Sequence, residues 1–134
     1  MFKTVLFALD GSREARDAID TVTKLVKTCD SRLVVVSVVE PAEPDTPPDP
    51  MNSPEAIAKL LETVRNLFAQ QGIETEAIER QGKPSFTICD VADEIEADLI
   101  VMGTRGLGLT DDGAADSVTN RVISLSPCPV LIVP

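Results

Sequence analysis

The chain has no histidine, tryptophan or tyrosine, three cysteines, and 12 basic residues against 22 acidic ones. Without histidine it lacks both the usual proton carrier near neutral pH and the commonest metal ligand. Cys29, Cys89 and Cys128 are scattered, with no C-x-x-C pair, which argues against a Cys/His metal centre and leads us to expect no metal site. Four phenylalanines are the only aromatics, so little is available to stack on a flavin ring. A net charge of -10 offers no basic face to nucleic acid or an anionic membrane, and neither is expected as a partner. With no signal peptide, no apolar run of membrane length and an odd set of cysteines, the chain reads as reduced and cytoplasmic.

What is present suits one domain over 1–134, long enough to bury about two thirds of its unfolded surface. Lys3 to Leu9 is a nearly continuous apolar run, as expected of a strand covered on both faces, and Asp10-Gly11-Ser12 stops it. Ala15, Ala18, Ile19, Val22, Leu25 and Val26 then recur at helical spacing. Arg32 to Val39 is β-branched enough for a second interior strand. The stretch 41–54 holds six of the ten prolines and three acids, which makes it an extended, solvated connection. Its length would also suit a functional loop, but the spacer reading is the stronger.

Ser53-Pro54 opens a second helix, whose buried stripe is Ile57, Leu60, Leu61, Val64, Leu67 and Phe68 and which Gln71-Gly72 ends. Ile73 to Ile78 alternates imperfectly and predicts an edge strand. Gly82-Lys83-Pro84 leads into a third helix with Ile88, Val91, Ala92 and Ile95 inward. Then come a strand from Asp98 to Met102, the loop Gly103-Thr104-Arg105-Gly106, a short helix from about Ser117 to Leu125, and a last strand from Val130 to Val133. Five strands alternating with four helices predict a doubly wound five-stranded parallel sheet, an α/β Rossmann-like fold with helices on both faces. In such folds ligands sit past the carboxyl ends of the strands, where the strand order reverses.

Gly103-x-x-Gly106, nine further residues, then residue 116 and Ser117 resembles the nucleotide loop of the universal stress protein (UspA-like) family. Asp10-Gly11-Ser12, Gly82-Lys83-Pro84 and Pro127-Cys128-Pro129-Val130 extend the resemblance over nearly the whole chain. It implies strand order 3-2-1-4-5, a role in stress response, and a homodimer joined through the strand Val130 to Val133. It also implies a nucleotide cleft. There an acid ending the first strand meets ribose or adenine, the backbone after the second strand meets the base, and the glycine loop meets phosphate. Carried onto this chain, the cleft residues are Leu9, Asp10, Val38, Met102, Gly103, Gly106, Ser117, Val118 and Thr119. Each has a plain structural reading beside that one: Asp10 as the start of a loop, Val38 and Met102 as core, Ser117 as a helix cap.

The chain departs from the family at the phosphate end. Members that bind ATP carry Gly-Ser where this chain has Asp116-Ser117, and Asp111 and Asp112 add further negative charge. A carboxylate about 5 Å from a phosphate charge costs about 1 to 3 kcal/mol at an effective dielectric of 80 down to 20. A helix amino terminus returns about 0.3 to 1, reaching about 2 in good geometry. The balance predicts weak or lost ATP binding and action through protein partners. The alternative is a working nucleotide sensor, taking ATP with Mg²⁺, for which Asp111, Asp112 and Asp116 offer oxygen ligands although an acidic, solvated loop is the stronger reading of them, or AMP, whose shorter phosphate lies farther from Asp116.

Other doubly wound proteins fit less well. The third strand ends in Glu79-Arg80 and the fifth in Val133-Pro134, neither of which suits a phospho-accepting receiver. G-x-S-x-G and G-x-x-x-x-G-K-[ST] are both absent, so no substantial catalytic turnover is expected, and any ATPase activity should be very slow. Cys128, between two prolines, reads as a small buried hydrophobe.

Overall fold

In a computed structural model of the chain, residues 2–9, 13–39, 54–103 and 118–133 are described, with the backbone alone given for 13–17, 54 and 118. The elements in order are β1 (Thr4–Leu9), α1 (Arg13–Cys29), β2 (Arg32–Val39), α2 (Pro54–Gln70), β3 (Thr75–Gln81), α3 (Pro84–Glu94), β4 (Leu99–Gly103), α4 (Val118–Leu125) and β5 (Val130–Val133). All strand pairs are parallel, in the order β3-β2-β1-β4-β5. The expected sheet is therefore present.

Strand alternation divides the interior into two layers. Val5, Phe7 and Leu9 of β1, with Leu33, Val35, Leu99 and Val101, pack against Ala18, Val22 and Val26 of α1 and Ile57, Leu61, Val64 and Phe68 of α2. Leu6 and Ala8, with Val34, Val36, Ile100 and Met102, pack against Ile88, Cys89, Val91 and Ala92 of α3 and Val122 of α4. The rings of Phe7 and Phe68 meet edge to face at 6.4 Å, the arrangement their quadrupoles favour. The nearly continuous apolar runs of β1 and β2 thus reflect covering on both sides.

Helix ends follow from local chemistry. Past α2, the Gly72 N–H donates to Ala69 O and the Ile73 N–H to Phe68 O, with Gly72 at φ +77°. This is a Schellman cap, and it turns Ile73 back into the core. Ile73 is therefore cap rather than strand, and β3 begins at Thr75, two residues later than the alternation suggests. It also runs on to Gln81, because pairing with Ser37, Val38 and Val39 of β2 needs backbone groups and not apolar side chains. Asp98 likewise lies before its strand: its Oδ2 accepts the Thr4 N–H at 3.0 Å, tying the amino ends of β1 and β4 together.

Candidate functional site at the strand ends

The chain reverses direction across the sheet at β1. β2 and β3 lie on one side of it and β4 and β5 on the other, so the crevice for a ligand opens between the carboxyl ends of β1 and β4. Register places those ends level. Leu9 pairs with Ser37, Ala8 with Met102, and Gly103 with Val133. Because β4 and β5 are parallel, α4 between them runs back across the sheet, and its amino end lies at this same end of the molecule.

Of the residues singled out from sequence, Leu9, Val38, Met102 and Gly103 come together at the carboxyl ends of the three central strands. Val118 and Thr119 open α4. Leu9 and Met102 are only 4% and 5% exposed, and their side chains belong to opposite core layers, Val38 packing on the layer of Met102. Their side chains are thus core, which leaves their backbone groups for any ligand. Gly103 is half-buried and has no side chain to shield its peptide groups. Asp10, Gly106, Asp116 and Ser117 lie outside the described residues, as do Arg105, Asp111, Asp112 and the proline-rich stretch up to residue 53.

Ser37 escaped the sequence reading. It is a polar residue inside RLVVVSVV, 2% exposed and paired in register with Leu9. A hydroxyl in an otherwise apolar interior strand, one residue from Val38, was the available signal.

Among the described residues, burial raises the thiol pKa of Cys89, with Asp90 and Cys128 adding to it. Burial likewise raises that of Cys128, against a hydrogen bond from Ser126. Both thiols are thereby kept protonated and poorly nucleophilic. Cys128 is half-buried against the α3–α4 layer, in keeping with a packing role.

An open groove lies at the opposite end of the sheet, lined by Arg32, Glu62, Arg65, Asn66, Thr75 and Glu76 among others. Arg32 and Glu76 pair there at 2.8 Å. The groove adjoins the amino ends of β2 and β3 and is unrelated to the crevice at the carboxyl ends. Among the described residues no group of three or more His, Cys, Asp or Glu side chains is placed to hold a metal ion. Nor is any described helix long and apolar enough to cross a membrane.

Comparison with known proteins agrees with this geometry. A universal stress protein from Synechocystis, Sll1654, is 64% identical over 136 residues, covering 100% of this chain and 87% of its own length. One from Thermus aquaticus is 38% identical over 141 residues, covering 99% of each chain. A crystal structure of a universal stress protein in complex with cAMP superposes with a TM-score of 0.80 at 25% identity, covering 99% of this chain and 97% of that one. The model of the universal stress protein family matches residues 1–134, and with the 3-2-1-4-5 sheet and the level strand ends already in place, this chain belongs to that family.

Proposed function

We propose that this protein is a non-catalytic, cytoplasmic, dimeric stress-response protein whose nucleotide cleft disfavours triphosphates, so that it acts through protein partners. One observation carries the reading. The amino end of α4 lies at the carboxyl ends of the strands, where the positive end of the helix dipole favours an anion, yet Asp116 stands two residues before Val118, the first residue of that helix. A carboxylate two residues ahead of a helix in the chain opposes the charge that the helix end would attract. The lack of histidine and of hydrolase or P-loop motifs supports a role without turnover.

The two sheet edges support the dimer. β3 carries Glu76, Glu79 and Arg80 along its edge, charges that discourage pairing with another strand. β5 is Val130-Leu131-Ile132-Val133, partly exposed throughout and with no charge at all. An unguarded apolar edge is best satisfied by a two-fold copy of itself.

A second reading is favoured by the neighbour solved with cAMP. A nucleotide with one phosphate places less charge near Asp116 than ATP does, and would make the protein a sensor of AMP-like molecules. Calorimetric titration of the native chain with ATP and with AMP, each with and without Mg²⁺, tests both readings. The first predicts no ATP binding at micromolar concentration without Mg²⁺, and the second predicts AMP binding regardless of Mg²⁺. Tight Mg²⁺-free ATP binding would contradict both.

A further inference from the structure

Phe86 is out of place for an aromatic in this chain. Of the four phenylalanines, Phe7 and Phe68 are fully buried and Phe2 is half-buried, whereas Phe86 is 49% exposed. It stands in the first turn of α3, off the buried face formed by Ser85, Ile88, Cys89 and Ala92. That turn follows β3 and so lies at the carboxyl end of the sheet.

Its position is anchored. The Gly82 N–H donates to Val39 O at 3.0 Å, fastening the start of α3 to the residue after Val38. Gly82 has φ +150°, and a Cβ there would come within 2.6 Å of Thr87 Oγ1, so the turn is closely packed. Ser85 is 3% exposed and plants the same turn in the interior. An exposed aromatic on a firmly held backbone, in a turn whose start is fastened to the end of β2, is suited to offer a ring face to a flat ligand at little ordering cost.

We infer that Phe86 is a stacking surface for the base of a nucleotide held at the strand ends, and so a determinant of preference for a purine nucleotide over a bare sugar phosphate. This rests on the nucleotide reading of the cleft. Stacking of a base on an aromatic ring needs no hydrogen-bond partner, and the chain offers no other exposed aromatic among the described residues.

The chain has no tryptophan, so Phe86→Trp creates a lone fluorophore at this position. AMP is expected to quench and shift its emission, while ribose 5-phosphate leaves it unchanged. By calorimetry Phe86→Ala should weaken AMP about tenfold, Phe86→Tyr should retain native affinity, and none of the variants should alter the affinity for ribose 5-phosphate. Equal AMP affinity in the native chain and Phe86→Ala, with no change in emission of Phe86→Trp, overturns the inference and leaves the cleft standing. Failure of the native chain to bind AMP at millimolar concentration overturns the inference and the nucleotide reading together.

Discussion

Gly82 joins β3 to α3 in a backbone conformation that side chains rarely adopt, φ +150°, and a methyl group there meets Thr87 Oγ1 at 2.6 Å. Alanine must therefore strain the backbone or displace the threonine. Gly82→Ala is expected to lower stability by about 1–3 kcal/mol, read as a shift in the urea midpoint at unchanged slope, and an unchanged midpoint would contradict it. At this scale the sequence was partly legible. Gly82-Lys83-Pro84 announces a turn into a helix, but nothing in it reveals that Phe86 is exposed or that Ser37 is buried. Both depend on which way one side chain points within an element, and that is decided by the neighbouring layer.

At the scale of elements, β3 is held to β2 by backbone pairing and by the bidentate pair of Arg32 and Glu76, with nitrogen to oxygen distances of 3.1 and 2.8 Å. The hydrogen bonds from Arg32 lower the pKa of Glu76 and raise that of Arg32. A carboxyl depressed in the folded state adds stability above its unfolded pKa, about 4.3, and that contribution fades as pH falls through the folded value. Arg32 stays charged throughout this range. Glu76→Gln should therefore be less stable than the native chain at pH 7, by a small margin since the pair is exposed, and the gap should close as acidification protonates Glu76, below the ordinary carboxyl range. A gap that persists at low pH would show that glutamine acts through something other than charge. Strand β3 also marks where periodicity failed. In β1, β2 and α2 the apolar pattern reports burial at most positions, Leu67 of the expected α2 stripe being 41% exposed instead, whereas a polar edge strand is bounded by its partner's hydrogen bonds and by the cap that claims Ile73.

On the scale of the whole molecule, alternation of five strands, four of them apolar, with four amphipathic helices was enough to predict a doubly wound sheet, and the family resemblance supplied the strand order. Burial then confirmed two core layers. The edges of that sheet differ in charge, which predicts that the chain sediments as a dimer at micromolar concentration and that Leu131→Lys on β5 shifts it toward monomer. A native monomer under those conditions would contradict the pairing. The phosphate side of the cleft was legible only as chemistry. Asp111, Asp112 and Asp116 declare their charge in the sequence, but how strongly that charge meets a phosphate depends on separation and screening. The most direct measurement is the ratio of ATP to AMP affinity, without Mg²⁺, in the native chain and in Asp116→Gly. Removal of the carboxylate should raise ATP affinity by about 1 to 3 kcal/mol, at least about fivefold, and AMP affinity by less. Equal ATP affinity in the two proteins would contradict the claim that Asp116 guards the cleft against triphosphates.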